Sequence, residues 1–410
     1  MEARKAVHVC ADGVPSSRAP GDHPVSALDS ASVPQRTQEA LYAQIDLELS
    51  WSEAELPQVE RTKHVHKLHP YLGKFVPQLV EVFLRRYFVP RDCIYDPFVG
   101  SGTTLVEANV FGCHSVGSDI SAFNCLLSRV KTAAYSPPAL ELALKGALER
   151  ARQSRGARAG KRGDWLQRWY SRPALDDLLA YRATISHLEP QARDVASVIL
   201  SRAARSARLT THFDLDFPRT PVAGPYYCHK HKRTCRPVDE ADKFLRRYTT
   251  DTNTRLRGFA QLRCGDRDVI VLHEDARTLT LPRPITGIIT SPPYPGLIDY
   301  HEQHRYAYEL LGLDDRRASE IGAAAQGSSR SALGQYVADM SAVFENAARQ
   351  MHGGAPVIIV VNDSRGLYPE ILERSGLDLE ERITRHVNRR TGRRAGEFFE
   401  EVLVCRVKRS

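Results

Sequence analysis

The stretch from Cys93 to Asp119 restricts the fold of this chain more than any other. A short apolar run, Cys93 to Tyr95, leads into Asp96-Pro97-Phe98-Val99-Gly100-Ser101-Gly102-Thr103-Thr104. A helical pattern follows through Leu105, Val106, Ala108 and Val110 and closes at Gly112. A second run, His114 to Gly117, then ends at Ser118-Asp119. Strand, Gly-rich turn, helix, strand and acid in that order open a doubly wound parallel sheet. Two glycines where a strand turns into a helix let the backbone approach a ligand and leave helix N–H groups available to it. Asp119, at the end of the second strand, stands where a carboxylate accepts hydrogen bonds from ribose hydroxyls. A dinucleotide site needs a third glycine in register, which Asn109 and Val110 do not supply, so the pattern points away from NAD. An acid at Asp96 suits a ligand carrying a cationic ammonium better than one carrying a pyrophosphate.

The second informative segment is Ile288-Ile289-Thr290-Ser291-Pro292-Pro293-Tyr294. Two prolines straight after a buried strand fix φ and leave carbonyls that join no ladder, so those carbonyls point rigidly outward. An exocyclic amino group on a base needs acceptors for its hydrogens before its delocalised lone pair can attack an electrophilic methyl group. The Ser291 hydroxyl and the carbonyls of Ser291 and Pro292 are such acceptors, and Tyr294 has a ring on which an extruded base can stack. A direct in-line transfer of this kind is governed by positioning. Methylation at a ring carbon requires instead a nucleophilic cysteine, usually after a proline. No Pro-Cys dipeptide occurs in the chain, and Ser291 to Tyr300 contains no cysteine.

With both segments in view, the chain resembles the DNA amino-methyltransferases, specifically the cytosine-N4 type. Asp96 to Gly102 is similar to their cofactor motif, and Ser291-Pro292-Pro293-Tyr294 to their catalytic motif. His69-Pro70-Tyr71-Leu72-Gly73-Lys74-Phe75 resembles the segment that covers the methionyl end of the cofactor. Asp275, within His273 to Arg277, resembles the acid that receives the cofactor's adenine amino group. The resemblance implies a class I S-adenosylmethionine-dependent methyltransferase: an α/β, Rossmann-like fold with a seven-stranded sheet and a terminal antiparallel hairpin. It implies S-adenosylmethionine held by Lys74, Asp96, Phe98, Gly100, Gly102, Thr103, Asp119 and Asp275, and a catalytic set of Ser291, Pro292, Pro293 and Tyr294. Double-stranded DNA is the implied substrate, with a cognate restriction endonuclease as a partner. Ser at position 291 leans towards cytosine, whereas Asp there leans towards adenine N6 or, in related RNA enzymes, guanine N2. A nucleic-acid-binding module with a vestigial cofactor site is the non-enzymatic alternative.

Further strands are expected at Val269–Leu272, 285–290, Val357–Val361, 382–387 and 401–407, the last two forming the terminal hairpin. Helices are expected over 79–87, 137–152, 173–188 and 191–208. The chain therefore divides into a leader (1–40) rich in Ser, Pro, Ala and Gly, a first catalytic half (41–135), a largely helical insertion (136–265) and a second catalytic half (266–410). Charge follows this division. Of the net +8, residues 152–265 carry +12, from 23 Lys and Arg against 11 Asp and Glu, which leaves −4 for the rest. So concentrated an excess favours a polyanionic partner and marks the insertion as the candidate for target recognition. No run is long enough for a membrane span and no apolar signal segment begins the chain, so a cytoplasmic protein is expected.

Two smaller constellations remain. Tyr226 to Cys235 (Tyr-Tyr-Cys-His-Lys-His-Lys-Arg-Thr-Cys) reads first as a basic, aromatic loop that touches phosphates and stacks on bases. It also reads as an incidental surface loop, or as a zinc site of Cys228 and Cys235 with His229 or His231, for which Cys264 is an arbitrary fourth partner. No metal is the expectation. Arg389-Arg390-Thr391-Gly392-Arg393-Arg394 lies in the turn of the terminal hairpin and offers four cations to a phosphate backbone.

Overall fold

A computed structural model describes residues 56, 60, 62–73, 75–154, 163–212, 218–229, 231–387 and 399–409. The leader, the segment 41–51, Lys74 and the Arg389–Arg394 turn lie outside the described residues. The strands, in chain order, are β1 (Cys93–Asp96), β2 (His114–Ser118), β3 (Tyr226–Cys228), β4 (Arg233–Cys235), β5 (Val269–Leu272), β6 (Gly287–Thr290), β7 (Pro356–Val361), β8 (Leu377–His386) and β9 (Phe399–Val407). Seven of them form one sheet in the order β5-β2-β1-β6-β7-β9-β8. The five strands from β5 to β7 run parallel, and β9 inserts antiparallel between β7 and β8. The seven-stranded sheet with its terminal antiparallel hairpin is thus as expected.

Strands β1, β6 and β7 are buried along their whole length, because helices cover both faces. Alternate residues serve alternate faces. Val357, Ile359, Ile288 and Leu403 meet Met340, Val343 and Phe344 of one helix (Arg330–Ala348), whereas Ile358, Val360, Ile94 and Ile289 meet Leu79, Val80 and Phe83 of another (Pro77–Tyr87). Each such fully buried side chain contributes about 1.5–3 kcal/mol. At the sheet edge, β8 exposes Asp378 and Glu380, charges that discourage pairing with a further strand.

The basic section is helical, as expected, over Pro137–Gln153, Arg172–Ile185 and Pro190–Ala207. Three features add to it: a short helix, Asp164–Trp169, a 19-residue helix, Asp242–Ala260, and the small two-stranded ribbon β3–β4. These helices share one apolar core with Ala122–Thr132, the helix that follows β2: Leu140, Leu144, Leu178 and Ile199 pack in the same cluster as Phe123, Leu126 and Val130. Part of the positive charge is consumed inside this layer. Arg202 is buried, pairs with Asp251 at 2.8 Å and lies over the Tyr248 ring at 4.2 Å, and buried Arg208 lies over Tyr306 at 4.8 Å. Among the described residues no helix is long and apolar enough to cross a membrane.

Candidate active site

Ligands of open α/β sheets bind outside the C-terminal ends of the strands. At that edge the turns after β1, β2, β5 and β6 enclose a cleft. Of the residues singled out in the sequence, Asp96, Phe98, Gly100, Thr103, Asp119, Asp275, Ser291 and Pro293 line it. Gly102, Pro292 and Tyr294 stand beside it without lining it.

The Gly-rich turn is shaped by what glycine alone tolerates. Gly100 has φ +47°, and a Cβ there would stand 2.9 Å from Tyr71 Oη. Gly102, at φ +77°, lies against Ser128, whose Cα would be 3.1 Å from an added Cβ. Ser128 Oγ donates to Gly100 O at 3.1 Å and the buried Lys131 ammonium to Ser101 O at 2.5 Å, so the turn is tied down from the following helix. Gly102 caps the helix Thr103–Phe111, and no side chain caps its first N–H groups. That end of the helix is suited to acceptor atoms.

Two acids flank the turn. Asp119 accepts from the Gly100 N–H (2.9 Å), the Ser121 N–H (2.8 Å) and Asn124 Nδ2 (3.0 Å). Burial raises its pKa, and these hydrogen bonds oppose the rise. Asp96 accepts from Thr290 Oγ1 at 2.7 Å and from the Phe98 N–H at 3.1 Å. Burial pushes it up to about 6 despite those bonds, with the nearby Asp119 charge adding to the rise. Among the described residues no cation is bonded to this buried carboxylate, which suits it to a cationic ligand group.

Asp275 is placed differently. Both of its oxygens accept from Arg277, at 2.6 to 3.1 Å, and Arg277 also reaches Asp339 at 2.6 Å. Burial alone would raise its pKa, but the guanidinium outweighs this and holds it low. Its neighbour Glu274 also lines the cleft.

The Ser-Pro-Pro-Tyr turn leaves β6 beside β1, so the Thr290–Asp96 hydrogen bond joins it directly to the acid. The Pro293 carbonyl accepts from Tyr336 Oη at 2.9 Å. Tyr294 turns its hydroxyl to Glu400 on β9, 3.1 Å away, and Glu400 is held by buried Arg385 at 2.9 Å. Burial raises the Tyr294 pKa and the Glu400 charge raises it further, so the phenol stays protonated. Asn362 and Asp363, just after β7, serve structure: Asn362 donates to Phe399 O at 2.6 Å, and Asp363 accepts from the Leu367 and Tyr368 N–H groups.

An aromatic wall closes the other side. Tyr300 stacks on Tyr71 at 5.6 Å, and Tyr71 stacks on His304 at 5.5 Å. His301 Nδ1 lies 2.7 Å from Glu320, which also accepts from the Tyr300 N–H at 2.7 Å. Tyr71 lies in a segment already marked in the sequence, whereas Asn124, Glu320, Arg385 and Glu400 carry no local signal and are found only through the fold.

Comparison with known proteins agrees with this geometry. Residues 25–129 match the model of a DNA methylase family. The chain is 35% identical to the type II methyltransferase M.MjaII of Methanocaldococcus jannaschii, over 86% of this chain and 82% of that protein. It is also 37% identical to the type II methyltransferase M.MvaI of Kocuria varians, over only 82 residues, 19% of this chain and 18% of that protein. Among solved structures, TrmN from Thermus thermophilus aligns with a TM-score of 0.31 at 13% identity, covering 82% of this chain and 50% of that one. The rRNA methyltransferase aviRa from Streptomyces viridochromogenes aligns at 0.33 and 12%, over 83% and 89%. Likenesses this weak bear no argument about function.

Proposed function

This chain belongs to the DNA methylase family of S-adenosylmethionine-dependent N6/N4 methyltransferases, and from that membership we propose that it methylates the exocyclic N4 of cytosine in double-stranded DNA. The observation that carries the reading is the Thr290–Asp96 hydrogen bond of 2.7 Å, which makes the amine-orienting turn and the cofactor cradle one rigid unit. S-adenosylmethionine, when bound, supplies a methyl group made electrophilic by its sulfonium. The cleft fits that donor on two counts: the Gly100 backbone tolerates no side chain beside Tyr71, and Asp96 is a buried acid suited to the ammonium of the methionyl end. Asp119 receives the ribose hydroxyls, and uncapped N–H groups at Thr103 face the ligand. Lys74 belongs to the same binding set by its place in the covering segment.

On the substrate side, the Ser291 hydroxyl and the carbonyls of Ser291 and Pro292 accept the hydrogens of the amino group and turn its lone pair out of the ring plane. Pro292 and Pro293 keep that turn rigid, so little reorganisation remains at the moment of transfer. Tyr294, steadied through Glu400, offers its ring to the extruded base. The basic helical section, 136–265, reads the target through its exposed Lys and Arg. The two curated relatives are named type II methyltransferases, which favours a site-specific modification role beside a cognate endonuclease.

The test is methyl transfer from labelled S-adenosylmethionine to mixed genomic DNA and RNA, read by nucleoside mass spectrometry, with Ser291→Ala and Tyr294→Ala as controls. N4-methylcytosine in DNA, lost in the controls, supports the reading. N6-methyladenine would keep the mechanism and overturn the target atom, and label confined to RNA would overturn the polymer.

A further inference from the structure

We propose that His212, Cys228, His231 and Cys235 form a structural zinc site that fastens the β3–β4 ribbon to the helical layer. In sequence this region lacked a fourth ligand, with Cys264 an arbitrary choice. In the fold Cys264 lies elsewhere, its carbonyl accepting from Asn109. The fourth residue is His212, just beyond the helix Pro190–Ala207, and one ligand atom from each of the four lies within 4.8 Å of the others.

The distances have the dimensions of a metal tetrahedron. His231 Nδ1 is 3.6 Å from Cys228 Sγ and 3.5 Å from Cys235 Sγ. With Zn–S about 2.3 Å and Zn–N about 2.0–2.1 Å, the S···N edge of a regular tetrahedron is roughly 3.5 Å. The hairpin register explains the convergence: Tyr226 pairs with Cys235 and Cys228 with Arg233, so the two cysteines are diagonal neighbours on one face. His231 lies in the turn between them, its N–H bonded to Cys228 O at 3.1 Å. Behind His212, Tyr226 Oη accepts from the backbone N–H at 3.0 Å and lies 2.9 Å from Nδ1, an outer contact of the kind that orients metal-bound imidazoles.

Two further observations call for a metal. Three-residue strands that pair with no other strand among the described residues make a ribbon too small to be stable alone, so something besides the ladder must hold it. Cys228 and Cys235 are buried and reduced, yet neither belongs to a hydrophobic cluster of the described residues. Two sulfurs and two imidazole nitrogens select zinc, and four protein ligands leave no open position for chemistry. None of the four lines the catalytic cleft, so the role is to hold shape. The ribbon so fixed displays exposed Tyr227, His229, Lys232 and Arg233. A second group of potential ligands, His64, His66 and Glu107, already has a cation: Lys63 Nζ is 2.9 Å from Glu107.

Elemental analysis of the full-length, tag-free chain after gel filtration should give about one equivalent of zinc. Titration of the wild-type protein with a mercurial should release that zinc as two thiols are consumed. His212→Ala should weaken zinc retention against a chromophoric chelator at least tenfold, and His229→Ala should leave it unchanged. A metal-free wild-type preparation with a normal melting transition would overturn the site, whether or not the variants fold. Zinc retained in His212→Ala, or lost in His229→Ala, would overturn the ligand set.

Discussion

Replacing Asp96 by Asn tests the cofactor cradle and its electrostatics together. In the folded protein burial holds this carboxyl up to about 6, against an ordinary value of 3.8. At about 1.36 kcal/mol per pH unit, keeping it ionised above pH 6 costs the cofactor-free fold about 3 kcal/mol at most. Because the folded value lies above the unfolded one, the associated stability is complete below pH 3.8. It is lost as pH rises through 6. Asn has nothing to ionise and still accepts from Thr290 and Phe98 through its carbonyl oxygen. Cofactor-free Asp96→Asn should therefore melt higher than the wild type at pH 7.5, with the gap closing towards pH 4. Binding should show the reverse order. A cationic ammonium needs the ionised acid, so wild-type affinity for S-adenosylmethionine falls about tenfold per unit below pH 6, and Asp96→Asn binds weakly throughout. Scanning fluorimetry and titration calorimetry from pH 4.5 to 8 read both quantities. Equal melting of the two proteins at pH 7.5, or wild-type affinity that is flat between pH 5 and 7, would refute the reasoning.

Other expectations follow from the same geometry. Gly100→Ala, at φ +47° and 2.9 Å from Tyr71 Oη, should lose cofactor binding and about 1–2 kcal/mol of stability, and Tyr71→Phe should relieve only the steric part, as calorimetry of the double variant would show. Glu400→Gln removes the charge that fixes the Tyr294 hydroxyl; kcat should fall while the Kd for S-adenosylmethionine stays unchanged, and a changed Kd would contradict the separation of the two roles. Replacing exposed Lys232 and Arg233 by Ala should flatten the slope of log affinity for DNA against log salt by about 1.8 if both meet phosphates. Buried Arg202→Ala should destabilise by roughly 2 kcal/mol, short of the full penalty for breaking a buried pair because Asp251 keeps Arg255.

The catalytic half of the fold was legible because its determinants are local. Strands β1, β2, β5, β6 and β7 are short apolar runs ending in turn residues, and each was placed within two residues. The helix Asp242–Ala260 escaped for a definable reason. Its buried stripe is Leu245, Thr249, Thr252, Leu256 and Phe259, so the helical period is present, but two threonines hide it from a reading based on apolarity. Arg330–Ala348 is masked in the same way by alanine, glycine and serine along its length. Net charge misled in part as well. The count over 152–265 treats Arg202 and Arg208 as surface cations, whereas both are buried over tyrosine rings.

What stays illegible in sequence is closure between distant segments, and the zinc-site residues and Glu400 share that cause. Glu400 reaches Tyr294 because β9 returns between β7 and β8, bringing the end of the chain across the mouth of the sheet. His212 reaches Cys228 because a helix of the basic section ends beside the ribbon. Neither partner has a spacing that a motif could capture, since the intervening residues set no distance. The same argument bears on Asp275. Its motif marks it as a ligand-binding acid, but Arg277, two residues on, and Asp339 on a separate helix bind the charge into an ion-pair triad. An acid whose lone pairs are filled by a guanidinium accepts a cofactor amino group only by giving up one of those bonds. Arg277→Ala should therefore tighten adenine recognition if Asp275 is the acceptor, read as a lower Kd for S-adenosylmethionine. If the acceptor is Glu274 instead, Arg277→Ala leaves that Kd unchanged and Glu274→Gln raises it.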